Sequence, residues 1–218
     1  MHAIKISKAH HNMMQKQIRE QFMLSESVLE AIGEIPRHDF VPEAYRGTAY
    51  AEMNIPLAHG EMMMTPNEEA RMLGSLNILP SDKVLEVGTG SAYVTALLAK
   101  LGHSVISLDI YEDFVSSAVK KLKTHKLHNT KVINADGANG YAPSQPFDVI
   151  CVTGGLHYVN ETLLKQLRPG GRIFAIIGEQ PAMTATVFKK DGQWQQTPLF
   201  ETQISYLKNI PAPEVFKF

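Results

Sequence analysis

The stretch from residue 84 to residue 93 constrains the fold most, because its pattern indicates a buried strand that runs through a tight turn into a helix. Gly88 and Gly90 occupy the turn, where a residue without a Cβ can adopt positive φ and let the backbone approach a ligand closely. A helix that begins directly after such a turn presents free backbone N–H groups. The stretch therefore predicts a site for an anion or a polar, nucleotide-like ligand.

From residue 83 onward the sequence alternates between apolar strands and helices. The predicted strands are 83–87, 104–108, 130–134, 147–152 and 171–177, and the predicted helices are 92–101, 112–126 and 159–167. Strands that are apolar throughout, with helices between them, are typical of a parallel sheet covered on both faces. Right-handed crossovers then predict an α/β fold with a doubly wound, mostly parallel, Rossmann-like sheet. Strands at 184–189 and 199–207, around the turn Asp191-Gly192, predict an antiparallel edge.

The N-terminal part lacks this alternation and predicts helices that pack on the sheet. Two helices are predicted between residues 7 and 35. A third begins at Thr65, because Pro66 suits the first helical position and Glu68 completes a capping box with Thr65.

Length and composition fit one α/β domain. The chain has 218 residues, of which 44% are apolar and 20% charged, so a sizeable core can form. We expect a single domain over 1–218, with an N-terminal helical or substrate extension (1–80) and a cofactor-binding core (81–218). The net charge of −1 indicates neither nucleic acid nor an anionic membrane as a partner. One cysteine, no signal-like segment and no apolar run of about 20 residues make a cytoplasmic protein the simplest expectation.

Three positions are predicted to converge at the carboxyl ends of the strands, where open α/β sheets bind ligands. The first is the glycine turn. The second is Asp109, about 20 residues farther on, where a carboxylate can accept hydrogen bonds from two ribose hydroxyls. The third is Asp136, which is followed by Gly137 and can reach an adenine amino group. Together these positions predict an adenosine-containing ligand.

The glycine turn also narrows the choice among adenosine ligands. Tyr93 stands where a dinucleotide fingerprint needs its third glycine, and the Gly-Lys-Ser/Thr of a P-loop is absent. Glu86 precedes the turn, and a carboxylate there would repel a pyrophosphate but would suit the amino group and sulfonium of S-adenosylmethionine. We therefore predict S-adenosylmethionine as the cofactor, with an NAD-dependent oxidoreductase as a weaker alternative.

Several motifs together resemble class I S-adenosylmethionine-dependent methyltransferases. They are the glycine turn, Asp109, Asp136-Gly137, the strand at 147–153 and the turn at 167–171. The N-terminal part is similar to one family among these enzymes, the protein-L-isoaspartate O-methyltransferases. That similarity is carried by the sequences Ile-Pro-Arg-His-Asp-Phe-Val-Pro at 35–42, Ala-Tyr at 49–50 and Ile-Pro-Leu-Ala-His-Gly at 55–60.

The resemblance implies that a methyl group passes from S-adenosylmethionine to the carboxylate of isoaspartyl residues in damaged proteins. It also implies a protein or peptide substrate as partner, no nucleic acid or membrane partner, no metal, and a monomer or homodimer. The cofactor site carried over from the family consists of Glu86, Gly88, Thr89, Gly90, Asp109, Ile110, Asp136, Gly137 and Thr153.

The predicted substrate loop departs from the family pattern. After His-Gly the family usually has Gln-Thr-x-Ser-x-Pro, whereas residues 61–66 read Glu-Met-Met-Met-Thr-Pro. Met62 and Met64 replace the two hydroxyl residues, and a thioether cannot donate a hydrogen bond. Two alternatives therefore stay open. One is a different acceptor, perhaps an apolar small molecule, in a pocket lined by Met62 and Met64; the other is a non-catalytic cofactor-binding relative.

Three further residues complete the candidate site. Thr65 could supply the missing hydroxyl, or it could serve only as the N-cap of its helix. His59 could orient groups or act as a base near the transferred methyl, or be a structural loop residue. His157 follows the fourth strand of the core, in a loop that borders the acceptor site in such methyltransferases, so it could contact the substrate or lie in solvent. We thus take Thr65 and His59 as catalytic candidates, and Met62, Met64 and His157 as substrate candidates.

Overall fold

The computed structural model describes residues 2–210, with side chains from residue 6 onward. The chain begins with helix α1 (His2–Asn12), which continues as a π-helical stretch over Met13–Arg19, and α2 (Glu26–Glu34) follows. The two helices predicted between residues 7 and 35 are confirmed, although the first begins earlier. The Ser25 hydroxyl caps α2 by accepting a hydrogen bond from the Val28 amide.

A short two-stranded sheet precedes the third helix. Strand β1 (Ile55–Pro56) pairs antiparallel with β2 (Met62–Met63), and 3₁₀ turns lie on either side of β1. Helix α3 (Pro66–Leu76) then begins at the predicted capping box. The Thr65 hydroxyl accepts from the Glu68 amide, and the Glu68 carboxylate accepts from the Thr65 amide.

Residues 83–202 form a seven-stranded sheet with three α-helices. Its elements are β3 (Lys83–Val87), α4 (Tyr93–Leu101), β4 (Ser104–Asp109), α5 (Glu112–Thr124), β5 (Thr130–Asn134), β6 (Phe147–Leu156), α6 (Glu161–Lys165), β7 (Leu167–Glu179), β8 (Ala182–Asp191) and β9 (Gln193–Thr202). The strand order is β5-β4-β3-β6-β7-β8-β9. The first five strands are parallel, and β8 and β9 complete an antiparallel edge. The predicted α/β, doubly wound fold is confirmed.

The sheet reverses its order between β3 and β6. From β3 the chain proceeds through β4 to β5 on one side, whereas β6 and β7 lie on the other side. At such a switch point the loops that follow the two central strands diverge, which leaves a crevice at their carboxyl ends. The glycine turn follows β3 and therefore lies at this crevice.

The core has two apolar layers, one on each face of the sheet. One layer joins strand residues such as Val84 and Cys151 to the N-terminal part, including Phe40 and Met72. The other contains the alternating residues of the same strands, such as Leu85, and packs beneath α6. The first 80 residues thus contribute directly to the core beneath the sheet. No helix among residues 2–210 is long and apolar enough to cross a bilayer.

Some boundaries of the predicted strands were wrong. Strand β9 begins directly after Gly192 and ends at Thr202, whereas we expected 199–207. Beyond Thr202 the chain leaves the sheet edge and returns to the end of β6, where Gly155 forms a parallel bridge with Tyr206. This pairing joins residues that are far apart in sequence, so local strand propensity could not reveal it.

Candidate active site

A cleft of about 630 Å³ opens at the carboxyl ends of β3, β4, β5 and β6. The cleft is lined by predicted site residues from all four strand ends and from the substrate loop. They are Met62, Gly88, Gly90, Asp109, Ile110, Asp136, Gly137 and Thr153.

The glycine turn takes its shape from positive φ angles and a close contact with β6. Gly88 has φ +100° and Gly90 has φ +48°. A Cβ on Gly88 would lie 2.5 Å from the Thr153 hydroxyl oxygen, which is closer than real side chains allow. The same hydroxyl donates to the Gly88 carbonyl over 2.6 Å. Glycine at residue 88 therefore lets β3 and β6 meet at the floor of the cleft.

Asp109 closes the turn by accepting two backbone hydrogen bonds. One carboxyl oxygen accepts from the Gly90 amide at 2.8 Å and the other from the Tyr111 amide at 3.0 Å. Burial raises the pKa of Asp109, and these two bonds oppose that shift. A carboxylate held in this way keeps further lone pairs for hydroxyl donors in the cleft.

Asp136 and Gly137 form the third part of the cleft. One Asp136 oxygen accepts from the Ala138 amide, and the other accepts from the Asn209 side chain, both at 2.9 Å. A Cβ on Gly137 would lie 2.5 Å from a methyl group of Val87, so the chain can pass this close to β3 only as glycine. Asn209 brings the C-terminal part of the chain to the predicted adenine side of the cleft.

The C-terminal segment 205–208 was not predicted as part of the site. Its backbone pairs with the end of β6, since the Gly155 amide donates to Ser205 and the Leu207 amide donates to Gly155. Gly154 permits the approach, because a Cβ there would lie 2.5 Å from Leu207. The Gly154-Gly155 pair near the end of β6 was the signal in the sequence for this contact. The cleft-lining residues that sequence reasoning missed include Tyr111, Phe114, Ser205, Tyr206, Leu207 and Lys208.

A second, smaller cavity of about 330 Å³ adjoins the cleft. It shares Leu57, Met62, Gly88, Gly90 and Thr153 with the cleft, and it adds Met63, Met64, Glu69, Thr89, Ser91 and Val94. Met62 is 40% exposed, whereas Met64 is 4% exposed and belongs to the core cluster. The three methionines therefore form much of the wall between the core and this cavity.

A buried ion pair holds the loop at residues 61–65, called the methionine loop below, against α3. The Arg37 guanidinium donates to both carboxyl oxygens of Glu69, at 3.0 and 3.2 Å. It also donates to the carbonyls of Ala49 and Met64, each at 2.6 Å. Burial raises the pKa of Glu69 to about 7, although Arg37 opposes the shift. The guanidinium thus satisfies backbone acceptors that would otherwise be buried without a partner.

Glu86 is buried and lines neither cavity. It shares a sheet face with Val84, and its carboxylate accepts hydrogen bonds of 2.5 Å from the hydroxyls of Thr95 and Ser107. Burial raises the pKa of Glu86 to about 8, and the two hydroxyls oppose the shift. The structure therefore places this carboxyl against α4 and β4 rather than in the lining of the cleft.

His59, Thr65 and His157 also lie outside the lining of both cavities. The His59 ring stacks on Tyr111 with 3.9 Å between centroids, and its Nε2 lies 3.0 Å from an Asp113 oxygen. The Thr65 hydroxyl caps α3. The His157 ring lies 4.4 Å from Tyr206. Both histidines thus contact aromatic residues of the cleft wall, while Thr65 is engaged in its helix.

No group of three or more His, Cys, Asp or Glu side chains suited to holding a metal ion occurs within the described part of the chain. The cleft offers instead backbone groups, the three carboxylates of Glu61, Asp109 and Asp136, and apolar walls. Such a set can bind a polar adenosine derivative.

Comparison with known proteins identifies the family. A family model described as protein-L-isoaspartate(D-aspartate) O-methyltransferase (PCMT) matches residues 8–208. This chain belongs to the protein-L-isoaspartate O-methyltransferase family. A relative from Serratia proteamaculans, named protein-L-isoaspartate O-methyltransferase, is 38% identical over 176 residues, which are 81% of this chain and 84% of the relative. One of the same name from Methanoculleus marisnigri is 35% identical over 188 residues, or 86% of each chain.

Solved structures support the same fold. A PCMT from Plasmodium falciparum, in complex with S-adenosyl-L-homocysteine, superposes with a TM-score of 0.76 at 20% identity and covers 95% of this chain and 98% of its own. A second protein-L-isoaspartate O-methyltransferase has a TM-score of 0.76 at 24% identity and covers 92% of this chain and 65% of its own. The resemblance predicted from the sequence motifs is therefore confirmed, and the glycine turn, Asp109 and Asp136-Gly137 lie at the strand ends around the cleft.

Proposed function

We propose that the protein transfers a methyl group from S-adenosylmethionine to the carboxylate of isoaspartyl residues in proteins or peptides. Family membership supports this reaction. The structural observation that carries it is the wall that the cleft and the second cavity share at Met62, Gly88, Gly90 and Thr153. Two adjoining sites with a common wall are what a direct transfer between cofactor and acceptor needs.

The residues of the cleft fit the proposed cofactor. Asp109 retains acceptor capacity for the two ribose hydroxyls, and Asp136 lies where it can accept from the adenine amino group. At Gly88 a Cβ would collide with Thr153, and at Gly137 it would collide with Val87, so glycine at both positions lets the strand ends pack closely around the cleft. A bound S-adenosylmethionine would supply an activated methyl group on a sulfonium, and Glu86 would act on it only through the glycine turn.

The reaction requires little acid–base catalysis by the protein. A bond forms between the acceptor carboxylate oxygen and the methyl carbon, while the carbon–sulfur bond breaks and its electron pair stays on sulfur. The products are a methyl ester and S-adenosylhomocysteine, and no proton moves. The protein's contribution is to hold the two groups in line and to remove water from two opposite charges. The apolar methionine wall of the second cavity serves that second role.

A different acceptor is a second candidate, and one observation favours it. Met62 and Met64 do line a cavity beside the cleft, as that alternative requires. However, Met64 is almost fully buried, so it shapes the wall more than it offers a binding surface. The names of the relatives favour the isoaspartyl acceptor.

The decisive experiment is a methyl-transfer assay with labelled S-adenosylmethionine and an isoaspartyl peptide. A peptide of the same sequence with normal aspartate is the matched control. We expect base-labile methyl ester on the isoaspartyl peptide alone. Binding of S-adenosylhomocysteine without any ester on that peptide would show that the acceptor differs.

A further inference from the structure

The charges that line the cleft are unfavourable for an anionic acceptor. Three carboxylates belong to the lining, those of Glu61, Asp109 and Asp136. Among residues 2–210, Lys208 is the one lysine or arginine in the lining of the cleft or of the second cavity. A carboxylate that leaves water needs a positive charge or hydrogen bonds to receive it. The Lys208 ammonium is therefore placed to compensate the charge of an incoming acceptor.

The backbone of Lys208 is anchored on both sides. The Leu207 amide donates to the Gly155 carbonyl, and the Asn209 side chain donates to Asp136, both at 2.9 Å. The Lys208 side chain itself is about half exposed. A half-exposed side chain on a fixed backbone can exchange one partner for another without movement of the C-terminal segment.

Glu61 holds this ammonium close to the wall that the two cavities share. The Lys208 Nζ lies 3.5 Å from a Glu61 carboxyl oxygen, and the next residue, Met62, lines both cavities. Leu207 also lies beside this wall, since its methyl group is 3.8 Å from the place where a Cβ of Gly88 would stand. A partly exposed ion pair contributes little to stability, so an incoming carboxylate can replace Glu61 at little cost.

We infer that the Lys208 ammonium binds the acceptor carboxylate, which it receives in exchange for Glu61. The inference rests on the proposed function and adds a substrate-binding residue to it, in the C-terminal segment. It also explains how a loop with Glu61, Met62 and Met64 can serve an anionic acceptor, since the positive charge comes from a distant part of the chain. An uncharged acceptor has no charge to offer Lys208 in place of Glu61, so the pair selects for an anionic one.

A binding experiment tests the contact without turnover. With S-adenosylhomocysteine bound, an isoaspartyl peptide is compared with the same peptide whose isoaspartyl carboxylate is converted to a carboxamide. We expect the unsubstituted protein to bind the carboxylate peptide about 10- to 100-fold more tightly. In Lys208→Met this preference should fall to about threefold or less. Lys120→Met, at an exposed lysine on α5 outside the lining of both cavities, should keep the full preference.

Turnover separates substrate binding from a structural link between the two segments. Lys208→Met should lower kcat/KM for the isoaspartyl peptide by about 10- to 100-fold, whereas Lys208→Arg should keep most of it. Glu61→Gln breaks the same ion pair and keeps the shape of the side chain. Because it also removes a competing carboxylate, it should leave kcat/KM equal or raise it by up to about fivefold.

The Kd of S-adenosylhomocysteine shows whether Lys208→Met damages the cofactor site instead. We expect it to stay within about threefold, because the proposed cofactor contacts come from Asp109 and Asp136. A rise in this Kd by the same factor as the loss in kcat/KM would contradict the inference.

The remaining outcomes distinguish the inference from the proposed function. If the unsubstituted protein methylates the peptide and Lys208→Met does so equally well, the inference is wrong and the proposed function stands. If Glu61→Gln lowers kcat/KM as much as Lys208→Met, the pair is only a structural link and the inference is wrong. If the unsubstituted protein binds S-adenosylhomocysteine but neither binds nor methylates the peptide, the proposed function fails and the inference falls with it.

Discussion

At the scale of single residues, the Asp109 carboxylate both stabilises the glycine turn and contributes to the wall of the cleft. Its two oxygens accept from the Gly90 and Tyr111 amides, and it lines the cleft. An asparagine has one acceptor oxygen, so Asp109→Asn would leave one amide facing an NH₂ group. We expect the Kd of S-adenosylhomocysteine to rise about 10- to 100-fold, as measured by calorimetry. Asp113→Asn, at an exposed residue outside the cleft lining, is the control, and equal effects of the two substitutions would contradict this role.

Ala92 takes a backbone conformation that favours glycine. It is buried with φ 68° and ψ 11°, one residue before α4. An L-residue in this region is strained by about 1–2 kcal/mol. Burial of the alanine methyl stabilises the folded state by about 0.8 kcal/mol and offsets part of that strain. Ala92→Gly should therefore change the free energy of unfolding by less than about 1 kcal/mol. Ala92→Val should lower it by at least about 2 kcal/mol in denaturant titrations, because β-branched residues rarely adopt positive φ. Equal stability of the two variants would refute this account.

Glu86 should make stability depend on pH. Burial raises its pKa from 4.5 to about 8 in the folded state, so the folded protein holds a proton that the unfolded chain releases. Stability from this group is fully present at low pH and is lost as pH rises from about 4.5 to about 8. Glu86→Gln should flatten the decline and be more stable than the unsubstituted protein by at least about 1 kcal/mol at pH 8. Glu69 contributes a similar decline, since its pKa is raised to about 7.

Urea titrations between pH 5 and pH 8.5 check this prediction. Glu112→Gln, on the exposed start of α5, should keep the decline of the unsubstituted protein. A Glu86→Gln variant that loses stability with pH as steeply as the unsubstituted protein would show that this carboxyl is already ionised at neutral pH.

At the scale of secondary-structure elements, Arg37 joins the turn after α2 to the methionine loop and α3, all within the N-terminal extension. Arg37→Met leaves Glu69 buried without its partner and frees the carbonyls of Ala49 and Met64. Removing one member of a buried ion pair costs about 3–5 kcal/mol, and we expect that loss in the free energy of unfolding. Arg37→Met with Glu69→Gln should recover part of it. Lys165→Met, in an exposed pair on α6, should leave the unfolding midpoint unchanged.

At the scale of the whole molecule, segments far apart in sequence close around one cleft. The loop before α3 and the C-terminal segment meet there, where Lys208 lies 3.5 Å from Glu61. The C-terminal segment is held to β6 by two backbone bonds, from the amides of Gly155 and Leu207. Side-chain hydrogen bonds from Tyr206 to the Gly178 carbonyl and from Asn209 to Asp136 add to these. Because the segment joins the sheet through an isolated bridge rather than as a strand, we expect its opening to be a local event rather than global unfolding.

Binding of S-adenosylhomocysteine, the product formed from the cofactor, should therefore slow hydrogen exchange at the Gly155 and Leu207 amides. At a concentration 100 times its Kd, S-adenosylhomocysteine stabilises the bound state by about 2.7 kcal/mol, which is about 100-fold in exchange rate for openings that release the ligand. Amides of α6, away from the cleft, should slow less whenever they exchange by local opening. Unchanged exchange at Gly155 and Leu207 would mean that the C-terminal segment opens without disturbing the ligand.

Much of the local structure could be predicted from the sequence. Strand 83–87, the capping box at Thr65 and the acid at the end of β4 each depend on a few consecutive residues, and all three are confirmed. The orientation of side chains was harder to predict from the sequence. Glu86 follows the face of Val84 in the period-two alternation of β3, and that face is buried against α4 instead of opening to the cleft. His59, too, contacts Asp113, which lies 54 residues away.

The sequence by itself determined the order of strands and helices, the shape of the glycine turn and the acidic residues at the strand ends. These features are encoded within a few residues, by backbone sterics, side-chain alternation and helix capping. Only the tertiary structure decided which side chains face the ligand. The return of 203–208 to Gly155, the hydrogen bond from Arg37 to the Met64 carbonyl and the burial of Glu86 beside Ser107 all depend on contacts between distant segments. Such contacts form when the two core layers pack, and no local sequence pattern predicts them.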